Sequence, residues 1–166
     1  MSVRSAGAGM IRRILSACAV FLLLGAGSLC AEEKKQPAYP ELGITASSLL
    51  IHPSIGYWRD RIGVRVTGMY LDEEHHEFHF NIGYEVSGSA EKVQQSINLL
   101  TSRVAGSDPG AEYKYWATGL AYSINYRGFF LELGLAHPWK DELGNLADDP
   151  VIPCGYLGYI YRFRSE

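Results

Sequence analysis

Beyond residue 31 the sequence has no apolar run approaching the ~18 residues that a membrane-spanning helix needs, so a helical membrane protein is excluded. Cysteine is scarce, three in 166 residues, which excludes a disulfide-stapled scaffold. Two of the three, Cys18 and Cys30, fall in a leader-like segment, and Cys154 is left as a small residue suited to burial. Acid is absent from residues 1–31, which carry Arg4, Arg12 and Arg13. Base is correspondingly sparse in the other 135 residues, where 12 of the 15 Lys and Arg face all 18 Asp and Glu, a net charge near −6. Such a domain repels phosphates, and no nucleic-acid partner is expected. No Gly-rich phosphate loop, serine elbow or paired-cysteine motif is present, so the chain is expected not to be an enzyme and to need no cofactor. At this length one domain is the limit.

What is present begins with an address. Met1 to Arg13 is basic, Ile14 to Leu24 is an apolar run of eleven, and Gly25 to Ala31 is rich in small residues. These are the three parts of a secretory signal peptide, assigned to residues 1–31 with cleavage after Cys30 or Ala31. Leu15-Ser16-Ala17-Cys18 has the form of a lipoprotein processing box but precedes most of the apolar run, where such a box should follow it. Residues 32–41, charged and proline-bearing, are expected to be a flexible lead-in to a domain over 42–166.

After the leader, hydrophobicity repeats with period two. Ile62, Val64, Val66, Gly68 and Tyr70 alternate with Gly63, Arg65 and Thr67, and Phe78, Phe80, Ile82, Tyr84 and Val86 with His79, Asn81, Gly83 and Glu85. The same pattern recurs over 116–126, 129–135 and 155–163. Each segment reads as a strand with one apolar and one polar face. A soluble sandwich or ligand-binding barrel also alternates, but its solvated face is rich in Lys and Glu. Here the polar faces are mostly Gly, Ala, Ser, Asn and Thr, the content of an interior. Apolar strands turned to lipid around a small polar lumen make a transmembrane β-barrel, and closure is what leaves no unpaired edge in lipid.

Gly158-Tyr159-Ile160-Tyr161-Arg162-Phe163 resembles the C-terminal assembly signal of bacterial outer-membrane barrels, with Gly158, Tyr161 and Phe163 in the signature positions. In that class phenylalanine commonly ends the chain, whereas Arg164, Ser165 and Glu166 follow here. The resemblance to the small eight-stranded outer-membrane proteins implies an all-β, antiparallel up-and-down barrel. It also implies an outer-membrane location, with outer-membrane lipids and the barrel assembly machinery as partners and a monomeric state.

Strand number follows from turn parity. Arg127-Gly128 makes a two-residue hairpin, and Trp58 to Arg61 a second tight turn. Residues 93–104 read either as a capped helix or as a strand. As a strand they put both tight turns on one side and the longer connections, 105–112 and 139–149, on the other, and that reading is preferred. First strands over Leu42–Leu50 and Ser54–Trp58 bring the count to eight, although Pro53 breaks the pattern.

In this topology Arg65, Glu85, Glu132 and Arg162 point inward near one end of the barrel, which suggests a paired charge cluster sealing it. His75, Glu77 and His79 stand at i, i+2 and i+4, so that two imidazoles and a carboxylate would share a face suited to zinc or nickel. The bland alternative is a solvated acidic loop. The expected function is a structural or surface-interaction barrel without an open pore, with the long loops as contact surfaces. Two alternatives stay open. One is a lipid-modifying barrel enzyme using Ser96, His52 or His137, and the other a soluble envelope barrel whose aromatic faces turn inward on an apolar ligand.

Overall fold

The computed structural model describes residues 38–87, 93–108, 111–144 and 151–163. The expected signal peptide, most of the lead-in, the residues just ahead of the candidate helix 93–104 and the last three residues lie outside these. Eight strands occur in chain order: β1 (Tyr39–Ala46), β2 (Ile51–Arg59), β3 (Ile62–Tyr70), β4 (His76–Ser87), β5 (Val93–Asp108), β6 (Ala111–Tyr126), β7 (Phe129–Asp141) and β8 (Ile152–Arg162). Each pairs antiparallel with its neighbours, and β1 pairs with β8 to close the barrel, from Glu41 opposite Arg162 to Ala46 opposite Leu157. Residues 93–104 are strand, and the helical alternative falls away.

Several boundaries differ from the sequence reading: β6, β7 and β8 extend beyond the expected 116–126, 129–135 and 155–163 at the loop end, β7 running to Asp141 inside the expected loop 139–149. β1 starts at Tyr39, inside the expected lead-in, because Tyr39, Glu41 and Thr45 bury their side chains in the lumen. β2 runs through Pro53, which sits opposite Ile44 of β1. The ladder to β3 begins only at Ser54, so the missing N–H removes no bond on that side. The expected long loop 105–112 is instead the end of a tall hairpin, since Asp108 still pairs with Ala111. Its Gly, Ser and Asp content imitates a loop, but the ladder holds it as sheet.

The tight turns use left-handed backbone. Arg127 (φ 50°) and Gly128 (φ 96°) are both positive, the requirement of the hairpin turn whose twist matches the strands. Asp60 (φ 55°) serves the β2–β3 turn. These turns lie at one end, hereafter the turn end. The connections at the other, loop end include 47–50 and 71–75, and Asp108 of β5 pairs with Ala111 of β6 at the same end.

Side chains alternate across the wall except near the register shifts at Glu85/Ser87 and Trp116/Ala117. Ile44, Ile55, Ile62, Leu120, Leu133 and Leu157 each leave more than half of their surface exposed on the outside. Inward positions carry Ser54, Thr67, Asn81, Ser96, Asn98, Ser123 and Asn125, all buried. The reading in which aromatic faces enclose an apolar ligand is therefore overturned, because those faces point out. No helix among the described residues is long and apolar enough to cross a membrane, which says nothing about crossing by strands.

Candidate functional site

The lumen is filled by three connected groups of polar side chains. Nearest the loop end, Glu77 of β4 is the centre. Its carboxylate accepts a hydrogen bond from Ser47 Oγ (2.7 Å) and lies 2.8 Å from both His52 Nε2 and His79 Nε2. Tyr156 of β8 donates to Glu77 at 3.2 Å, and its hydroxyl is 2.7 Å from His79 Nε2. His52 is fully buried and its Nδ1 has no partner.

Below this, Glu132 of β7 accepts from Asn98 Nδ2 (2.6 Å) and from Asn81 Nδ2 (2.9 and 3.2 Å). Arg65 of β3 donates through Nε to Glu41 at 2.6 Å, lies 3.9 Å from Glu132 through Nη1, and stacks 4.4 Å over the Phe130 ring. Ser96 and Ser123 extend the network beneath Asn98. At the turn end Gln94 donates to Tyr39 and Glu85 and accepts from Arg162. The indole of Trp58 fills the space over Gly63 and Gly83. A Cβ on Gly83 would stand 2.7 Å from the ring, and one on Gly63 would overlap it.

Among the described residues the buried inward carboxylates are Glu41, Glu77, Glu85 and Glu132, against a buried Arg65 and a half-buried Arg162. The excess of carboxylate explains the donors around it. Asn81, Asn98, Gln94, Ser47 and two imidazoles supply N–H and O–H groups where cations are lacking.

All four residues expected in the charge cluster face the lumen. Arg65 and Glu132 belong to the middle group with Glu41, while Glu85 and Arg162 meet through Gln94. Glu41 was hidden from the sequence reading because it follows Pro40 in a stretch that resembles a linker.

The expected metal trio is not brought together. Glu77 and His79 point inward, but His75 stands in the 71–75 turn with its ring 3.1 Å from Asp72 Oδ1 and 3.1 Å from Ser107 Oγ. The strand begins only at His76, so the i, i+2, i+4 relation fails at its first member. Among the described residues no group of three His, Cys, Asp or Glu is arranged to hold a metal. Ser96 faces the lumen, His52 lies in a separate group and His137 is exposed outside, so these three do not converge. Gly158 pairs with Thr45 at the seam, and Tyr161 and Phe163 face outward with their rings 4.8 Å apart and edge-on.

The 71–75 turn has its own logic. Partial desolvation pushes the Asp72 carboxyl up, but the amides of Glu74 and His75 and the His75 ring outweigh it and hold it below the usual carboxylate range. A depressed carboxyl supports its fold above the ordinary pKa and releases it as pH falls through the lowered one. Amide exchange at Glu74 and His75 is therefore expected to stay slow at neutral pH and to accelerate, relative to intrinsic rates, only in acid. Unchanged protection in Asp72→Ala, which removes the acceptor, would refute this.

No family model matches the chain, and no curated protein matches it. Among solved structures, the chain is similar to the crystal structure of the N-terminal β-barrel domain of Pseudomonas aeruginosa OprF. That match has 13% identity and a TM-score of 0.46, and covers 77% of this chain and all of that domain.

Proposed function

We propose that this chain is a transmembrane β-barrel of a bacterial outer membrane, exported by its leader, with a sealed lumen and a structural or surface-contact role. The observation that carries this reading is the inverted wall. From the turn-end tyrosines Tyr57, Tyr84, Tyr126 and Tyr159 up to Arg103, the outward positions of the described strands hold no Asp, Glu, Lys or Arg. In water such a continuous apolar surface would drive association; in lipid it is the solvated face.

Its height fits a bilayer. Trp116 and Tyr126 face outward on β6, ten residues apart, with Tyr126 at the end of the strand. That is ~33 Å along the strand, or about 25 Å along the axis at the usual tilt. Trp116 is joined at the loop end by Tyr70 and by Trp139, whose ring is 5.9 Å away. Two belts of amphipathic rings about 25 Å apart are where membrane–water interfaces would lie.

The interior supports a plug in place of a pore, because Trp58, Tyr39, Leu100 and Ile160 are almost wholly buried among the polar networks. An eight-stranded barrel is only wide enough for its own side chains. The β5–β6 hairpin rises beyond Trp116 and, with the 71–75 turn, forms the surface offered to partners at the loop end. Lipids are the partner of the wall, and the terminal strand with Tyr161 and Phe163 is the segment offered to the assembly machinery.

Tryptophan fluorescence tests the placement. Trp116 and Trp139 face outward, while Trp58 is 2% exposed and faces inward. Refolded in vesicles of phosphatidylcholine with brominated acyl chains, the protein is expected to be quenched strongly, and the Trp116→Phe, Trp139→Phe double variant only weakly. Absence of quenching, with the protein recovered in the aqueous fraction, would overturn the membrane reading.

A further inference from the structure

One charged row on the outer wall is used by neither the lumen nor the closure of the barrel. On β5, β6 and β7, Arg103 pairs in register with Trp116, and Trp116 with Lys140. The ladder continues one outward step up, where the Glu142 amide donates to the Lys114 carbonyl at 2.8 Å. A bulge between Trp116 and Ala117 inserts an extra residue into β7. That residue, Trp139, is turned outward beside Lys140, with its Nε1 donating to Thr118 Oγ1 at 3.2 Å. Bulges re-aim side chains in this way, and the result is two cations level with the paired indoles and a third, Lys114, one outward step beyond them.

Their protein partners do not balance them. Glu142 is the carboxylate in contact, 3.1 Å from Lys140 Nζ and 3.8 Å from Lys114 Nζ. It serves two ammonium groups, and the remaining outward carboxylate nearby, Glu112, stands one position farther from the wall than Lys114. Arg103 stacks 5.5 Å over Trp116 and its Nε is buried without an acceptor. Among the described residues, three cations face two outward carboxylates, Glu142 and the more distant Glu112, which leaves local positive charge at the height where lipid phosphates would lie. On a domain that is acidic overall, this is the opposite of the average.

We propose that Arg103, Lys114 and Lys140 form a binding site for the phosphate of an anionic membrane lipid, whose acyl chains lie along the wall below Trp116 and Trp139. The proposal rests on the membrane reading above. A planar guanidinium fork and two ammonium groups match a phosphate's several oxygens, while the indoles take the glycerol and upper acyl region. The site holds lipid against the β5–β6–β7 face, the side on which the sheet rises highest.

The test uses the full chain in mixed vesicles, comparing brominated phosphatidic acid with brominated phosphatidylcholine as quenchers of the wall tryptophans. Phosphatidic acid is expected to quench at a roughly fivefold lower mole fraction, as about one effective surface cation would produce. Arg103→Gln, Lys114→Gln, Lys140→Gln together should bring the two lipids level while quenching by phosphatidylcholine stays intact. Glu142→Gln should widen the preference, because the competing carboxylate is gone. Equal quenching of the unaltered protein by both lipids, or a preference that survives the triple substitution, overturns the site. Displacement by inorganic phosphate would make the ligand a free anion and also overturn it. Failure of the membrane reading looks different, since then neither lipid quenches.

Discussion

Arg65→Met is expected to lower the unfolding free energy of the refolded barrel by about 3–5 kcal/mol, the cost of removing one partner from a buried charged network. Arg65 is 4% exposed and stands between Glu41 and Glu132, each 1% exposed. Without it, two carboxylates remain in the lumen with only amide donors nearby. The loss should appear as a lower urea midpoint in the conversion from the fast-migrating folded band to the slow unfolded one. Adding Glu41→Gln and Glu132→Gln should restore much of the midpoint, because three neutral groups of similar shape carry no uncompensated charge. A midpoint within error of the parent in Arg65→Met would show that the carboxylates do not depend on that guanidinium.

Gly63→Val is expected to cost roughly 1–3 kcal/mol or to block refolding, as overpacking a filled interior does. Gly63 lies opposite Gly83 on β4, and the indole of Trp58 occupies the volume that their absent side chains leave. Asn98 Oδ1 also lies 2.5 Å from a Cβ placed on Gly83, so the space between the two glycines is already taken. Trp58→Leu alone should also destabilise, through a cavity. Combining Gly63→Val with Trp58→Leu should recover part of both losses, which a double-mutant cycle would read as coupling. Strict additivity would mean that the two residues do not share the space.

The wall was largely legible from alternation because the inward and outward positions in β3, β4, β6, β7 and β8 repeat at i+2 over seven or more residues. The helix–strand ambiguity of 93–104 yielded to turn parity, a constraint from the whole sheet and not from local sequence. β1 and β2 were less clear because Pro40, Gly43 and Pro53 carry turn chemistry into strands held by their neighbours. The lumen was legible one residue at a time but not as contacts. Inward parity placed Arg65, Glu85, Glu132 and Arg162, yet which carboxylate meets which cation depends on stagger between strands. His52, Glu77, His79 and Tyr156 come from three strands, and nothing in their spacing announces that they meet. The bulge that turns out Trp139 and Lys140 is invisible to strict period two.

Closure by the first and last strands also imposes an order of events. Glu41 and Arg162 pair although they are 121 residues apart, and Phe163 donates its amide to Pro40. Until β8 has emerged, the sheet has two open edges and an apolar back, the combination most prone to association between chains. Closing so long a loop is entropically slow. The rivet is therefore the last part to arrive, and a chain truncated before Ile152 would retain most of its wall yet have no way to finish it.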